Sequence, residues 1–454
     1  MLRASFTAEQ AGVPAISVVG SLFQSAAVIV ARYLGLEEVP LAVYPGRITA
    51  DSAEELTEKA RTTLTDQIVA GLTAGSPRLA PPPPEPEPRE IVFRGSIDEV
   101  NDHFYDRMWT DGLPVMPPTI DRVEQFLAHT DRAPDEIIAE MLPDRRAATV
   151  WNVAANGVMA GCRPEYMPVL LAAVEAIADP AFGLKDSGGG AGWEPLVIIN
   201  GPVIKELDFN TGTGAQRMGR RANTSIGRFL RLYIRNLAGV RIPPGENDKA
   251  GLGRSFHVAI AEDEDTVDSV GWPTYAEDVG VARGQSSVTV HGILGETVPY
   301  GDHEGSTNDP ETYLVPLVES FGKGMLGQWV WIGLAWAEWH PMLLLSPHCA
   351  RVLSSHGWTK DRVRQRIWED ARVPARRVLA NGRCVNLDLA EQVRSGKVSP
   401  EFLLSDDPDR LIPTLLRPED LRIVVAGNPD MYWQRGFCGH VHGNPVTKLI
   451  VPRR

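Results

Sequence analysis

Cysteine is scarce in this chain: four in 454 residues, and no two stand in a C-x-x-C pair. That excludes a disulfide framework and fits a reducing cytoplasm. Long apolar runs are missing too. The most apolar N-terminal stretch, residues 13–36, is broken by Ser17, Gly20, Ser21, Gln24, Ser25 and Arg32, and no basic leader with a cleavage site precedes it. It therefore reads as core, not as a signal or a membrane span. Excess positive charge is absent. A net charge of −13 argues against nucleic acid as the main partner and against an anionic membrane surface. Neither G-x-x-x-x-G-K-[ST] nor a G-x-G-x-x-G after a strand occurs, so the standard nucleotide-phosphate loops are excluded.

What is present is a length sufficient for two or three domains and an ordinary composition, 43% hydrophobic and 23% charged. Residues 1–75 read as a small α/β module: a helix tail over 1–10, strands at 15–19 and 41–44, an Ala-rich helix over 22–33, and a long helix over 52–72. Asp51 or Ser52 can cap that last helix, with Glu54 and Glu55 in its first turn. Strand–helix alternation predicts a parallel sheet, with the module starting in mid-unit. Residues 76–90, with Pro81-Pro82-Pro83-Pro84-Glu85-Pro86-Glu87-Pro88, form a polyproline-type linker. Residues 91–454 form a large mixed α/β main body. It has a capping box at Ser96–Glu99 and short buried strands at 196–200, 287–291, 342–345 and 422–426.

The run Val13-Pro14-Ala15-Ile16-Ser17-Val18-Val19, the helix through Tyr33-Leu34-Gly35-Leu36, and residues 40–45 resemble the distal part of the UGSC-type (seleno)protein family. That family is named for a selenocysteine- or cysteine-Gly-Ser-Cys motif near its start. The resemblance implies thiol or selenol redox chemistry. The motif itself would lie before Met1, so the module is either a structural remnant or one completed by a partner chain. The stretches 159–168 and 221–231 resemble the body that accompanies UGSC-type modules, which implies no particular reaction.

Three stretches of the body could carry chemistry. In Gly161-Cys162-Arg163-Pro164-Glu165, Gly161 suits a helix stop after 149–160, and Pro164 suits the first turn of a helix over 164–177. Cys162 then sits ahead of a helix N-terminus beside Arg163, where a thiol pKa falls, with Glu165 as acid/base partner. The alternative is a small buried residue packing a helix corner. In residues 210–228, Gly212, Gly214 and Gly219 accompany Arg217, Arg220 and Arg221, and Asn223-Thr224-Ser225 opens a helix. These are the ingredients of a site for a carboxylate or phosphate, or else of a solvated basic loop. In Cys438-Gly439-His440-Val441-His442, a period of two puts Cys438, His440 and His442 on one strand face. That face could bind zinc, iron or copper, or the residues could be a polar strand end.

A remote cluster, His340 with the His348-Cys349 pair, could complete either site, and His291 with Glu296 and His303 makes a further set; each alone is more often structural. Residues 262–265, all acidic, read as a solvated loop. The expectation is a cytoplasmic, oligomeric enzyme acting on a small anionic substrate through Cys162, a metal, or both, with redox chemistry ahead of a metal-dependent hydrolase or lyase. The non-enzymatic alternative is a subunit that completes a split module with a partner chain.

Overall fold

The computed structural model describes the chain except residues 1, 34, 35, 37–39, 47, 49, 50, 74–86, 88, 143, 185–191, 242–254, 301–307, 386, 441, 442 and 454. Most of the Pro-rich linker and the glycine run 188–190 fall outside that set. None of the helices among the described residues is long and apolar enough to cross a membrane.

The chain is α/β. In the N-terminal module β1 (Ser17–Gly20) pairs in parallel with β2 (Leu41–Tyr44) across the helix Gln24–Tyr33, as strand–helix alternation requires. Ser52 and Glu55 form a reciprocal capping box for the helix Ala53–Lys59. The long helix expected over 52–72 widens into a π-turn at Ala60–Leu64 before continuing as Thr65–Thr73. The threonines there bond back onto the ladder, Thr62 to Glu58 O and Thr65 to Ala60 O, and so compete with regular i→i−4 bonds. Leu64 is carried by this turn into a small core with Ala42 and Tyr44.

The body is organised by one mixed sheet. Its strands are β5 (Glu194–Asn200), β6 (Ile260–Ala261), β7 (Ser287–Thr297), β8 (Met342–Leu345), β11 (Arg422–Val425), β12 (Gln434–Gly439) and β13 (Val446–Leu449). The order is β11-β8-β12-β7-β5-β6, with β13 paired to β7. Pairings β11–β8 and β5–β6 are parallel, and the rest are antiparallel. Smaller antiparallel pairs, β3 (Ile137–Met141) with β4 (Arg146–Thr149) and β9 (Arg372–Pro374) with β10 (Leu411–Pro413), lie outside this sheet.

The sheet curls until its edges meet. The Asp263 N–H donates to Val425 O at 2.7 Å, and the Val425 N–H donates to Glu262 Oε1 at 3.2 Å. One face consequently gathers Leu196, Ile198, Ile260, Ile293, Met342, Leu344, Val424 and Phe437 into a single cluster, with side chains from every strand of the path. A flat sheet could not bring its first and last strands into one cluster; a barrel does. The opposite face carries Val197, Ile199, Val288, Val290, Leu343 and Val425 into the main core, where the helices Val150–Met159, Met167–Ala178 and Arg221–Tyr233 contribute. Burial on both faces explains why these strands are unbroken apolar runs.

The acidic run at 262–265 is not a solvated loop. Glu262 is wholly buried and accepts hydrogen bonds from the Tyr275 N–H (2.6 Å), the Val425 N–H and the Asn200 amide (2.7 Å). Lys360, itself buried, lies 3.6 Å away. Asp263 caps the helix Glu264–Ser269, and Glu264 accepts from the Gly201 N–H. Only Asp265, paired with exposed Lys205, behaves as expected.

Gly227 lets the Arg221–Tyr233 helix lie on the chain entering β6. A Cβ there would stand 2.5 Å from His257 C and from Val258 N, both backbone atoms with no means of yielding. Gly227→Ala tests this by the sign of its effect. On a free helix face alanine is favoured over glycine by about 1 kcal/mol; here urea denaturation should show a loss of about 1–3 kcal/mol, and a gain would contradict the packing.

Candidate functional site

The helix Val150–Met159 ends in a Schellman turn. Gly161 takes the left-handed conformation (φ 78°), its N–H bonds to Val158 O, and the Cys162 N–H bonds to Gly157 O. The chain then turns through a single 3-10 turn, Pro164–Tyr166, before the helix Met167–Ala178. Cys162 thus occupies the expected corner, with a short 3-10 turn in place of the α-helical start. Glu165 lies on that turn, half-exposed, 3.8 Å from Arg163.

The second stretch folds onto this corner. The helix expected to open at Asn223-Thr224-Ser225 begins earlier, at Arg221, because Asn223 does not cap it: Asn223 is buried in its first turn. Its carbonyl oxygen accepts from the Asn210 N–H, and its amide donates to Asn210 O and Ala259 O. Those bonds commit Asn223 to holding the 210–220 loop in place. From the first turn, Arg221 Nε reaches Gly161 O at 3.1 Å, and one turn on Ser225, whose hydroxyl donates to Arg221 O at 2.7 Å, lies close enough to the Cys162 thiol to pull its pKa down. Arg228, seven residues from Arg221 and so on the same helix face, also projects its charge onto the thiol.

The three expected arginines separate. Arg221 is at the corner, Arg220 is ion-paired with Asp208 at 2.8 Å, and Arg217 is exposed on the glycine-rich loop. Arg228 and its partner Asp111, which closes two 2.8 Å hydrogen bonds on the guanidinium, were not singled out by sequence reasoning. The i, i+7 spacing of Arg221 and Arg228 was the signal available for the first; nothing local marks Asp111. Burial works to raise the Asp111 carboxyl, but the Arg228 hydrogen bonds and charge outweigh it and hold it below the usual carboxylate range.

The expectation of a low thiol pKa is corrected. Cys162 is 6% exposed, and burial pushes its pKa up to about 12 against the smaller pull of Ser225, Arg221 and Arg228. Removing water from a thiolate costs more here than two partly screened guanidinium groups return. The thiol is protonated at neutral pH.

The C-terminal ligand run lies elsewhere. Cys438 is fully buried in β12, its thiol 3.8 Å from Gly439 O, and His440 stacks on Trp193 at 4.6 Å. His442 lies outside the described residues. Among the described residues no group of three or more His, Cys, Asp or Glu side chains could hold a metal ion. Cys349 is also buried and pushed up to about 12, with its Sγ 3.2 Å from the Ser346 hydroxyl, and His348 bonds the Tyr313 hydroxyl.

His291 and His340, separate in sequence, come together at the barrel. His291 sits opposite Leu196 on the inner face, and a Cβ on Gly439 would lie 3.3 Å from its Nε2 and 2.2 Å from His340 O. The bare Gly439 backbone is what permits this approach. Burial drives the His291 pKa down to about 3, and His340 to about 4, with Arg422 adding to both.

Residues 1–74 match the UGSC family, in agreement with a UGSC-type N-terminal module joined to a larger body. Neither a curated protein nor a solved structure matches the chain.

The protonated thiol is open to test. Iodoacetamide modification of the Cys162 peptide, followed by mass spectrometry, should be slow at neutral pH and still rising above about pH 10. A rate that levels off by about pH 8 would show a thiolate that the burial of Cys162 rules out.

Proposed function

We propose that the body is an enzyme acting on a small anionic molecule at the junction of the Cys162 corner and the Arg221–Tyr233 helix. One observation carries the reading: Arg221 Nε lies 3.1 Å from Gly161 O, so two stretches that are independent in sequence meet at one place. The helix N-terminus there has no side-chain cap, since Arg220 makes no capping bond. Its first N–H groups and the Arg221 and Arg217 side chains offer positive potential to a carboxylate or phosphate.

In this reading Arg221 holds the anion, Arg217 reaches it from the glycine-containing loop, and Arg220 tunes the field from its pair with Asp208. Cys162 meets the substrate as a neutral thiol, able to donate a hydrogen bond or a proton. Nucleophilic or redox chemistry follows only once that proton is lost, and Glu165 is the carboxylate we assign to receive it. Thiol redox chemistry, which the N-terminal resemblance implies, remains the first reaction class to screen.

Calorimetric titration with inorganic phosphate tests the binding half. The parent protein should bind saturably, and the double variant Arg217→Gln/Arg221→Gln should bind at least about tenfold more weakly, the loss of about 1.4 kcal/mol that one charge-assisted contact supplies. Equal affinity in both would remove the site.

A further inference from the structure

The barrel interior holds polar groups that the described residues leave without a hydrogen bond. Tyr275 is fully buried, packs in the inner cluster, and its hydroxyl has no hydrogen-bond partner among the described residues. His291 is 2% exposed, and neither ring nitrogen has a hydrogen-bond partner among the described residues, although the His340 carbonyl lies close by. His340 Nδ1 and Arg422 Nε are likewise buried and unbonded. Arg422 is paired with Met342 in the register and shares the inner face with Met342 and Val424. Its charge is felt by Tyr275, His291 and His340 alike. Four side chains from β7, β11, the approach to β8 and the helix Tyr275–Asp278 therefore converge without completing one another's bonds.

Charge sharpens the point. The carboxylates around these groups are already engaged elsewhere: Asp420 by Arg417 at 3.0 Å, Glu262 by backbone N–H groups with Lys360 nearby, and Asp278 by Arg364 at 2.7 Å. His340 Nε2 is 3.7 Å from half-exposed Glu338, and its Nδ1 is 3.9 Å from Asp420, both beyond hydrogen-bond length. Arg422 has no ion pair among the described residues. Asp420, the buried carboxyl that feels the Arg422 charge, is already held by Arg417, so the buried Arg422 Nε–H is left without an acceptor, a loss that an entering oxyanion would relieve. Native proteins seldom leave so many buried donors unpaired in one place.

We infer that the barrel interior binds a small oxyanion, of the size and charge of a simple carboxylate, between the Arg422 guanidinium, the Tyr275 hydroxyl and the His291 ring. This site stands on different residues from the Cys162 junction and does not depend on it. Arg422 supplies the charge, Tyr275 a hydroxyl donor, and His291 an N–H whose tautomer the ligand selects. The surrounding Met342, Phe437 and Ile293 side chains would bound the ligand to a few non-hydrogen atoms.

Sodium formate is the probe in solution and bromide in the crystal. Formate titration of the full chain by calorimetry should give saturable binding that Arg221→Gln retains. Tyr275→Phe, which removes one oxygen and keeps the ring packing, should weaken it about tenfold. Crystals soaked in sodium bromide should show an anomalous peak in contact with Arg422 and Tyr275. Formate binding that Tyr275→Phe leaves unchanged, or an interior that holds only water in bromide-soaked crystals, would overturn the inference.

Discussion

The buried Glu262 carboxylate is the contact on which the body depends. Three donors converge on it: the Tyr275 N–H, the Val425 N–H and the Asn200 amide, with Lys360 at 3.6 Å as counter-charge. Those groups belong to the ends of β5 and β11 and to the helix Tyr275–Asp278, so one side chain fastens the first strand of the sheet to the last. Burial pushes the Glu262 pKa up, and the Lys360 charge followed by the N–H donors pulls it back. Lys360 in turn meets Asp278, which Arg364 also engages. Removing one member of such a buried set costs about 3–5 kcal/mol, because the remaining charge is left without a partner.

Closure at that point has consequences at both places where chemistry can occur. It turns one sheet face inward, which brings His291, Tyr275 and Arg422 together although they come from distant parts of the sequence. It also fixes β6, and through Ala259 and Asn223 the start of the Arg221–Tyr233 helix. That helix delivers Arg221 and Ser225 to the Cys162 corner, while Gly227 allows the close backbone approach on which the delivery relies.

How much of this the sequence discloses follows the range of the interaction. Short-range features are legible: the corner at Gly161, the box at Ser96 and Glu99, the parallel pair of the N-terminal module, and the apolar runs of β5, β8 and β11. β12 is less so, because Gly436 and Gly439 break its apolar pattern. Those glycines exist for reasons set by distant residues: a Cβ at Gly436 would strike the Phe321 ring at 2.2 Å, and one at Gly439 the His340 carbonyl. Glu262 misleads for the same reason. Four consecutive acids look solvated until the donors that desolvate the first of them, from Asn200, Tyr275 and Val425, are placed. The direction of the Cys162 pKa was hidden likewise, since its burial is decided by what packs over the corner and not by its neighbours in the chain.

The proposed site requires that an anion held by Arg221 lie beside Cys162. The direct measurement is the rate of Cys162 alkylation at high pH with and without inorganic phosphate, in the parent and in Arg221→Gln. Phosphate should slow the modification severalfold in the parent and have little effect in the variant. The same rate with and without phosphate in the parent would separate the anion from the thiol and contradict the shared site.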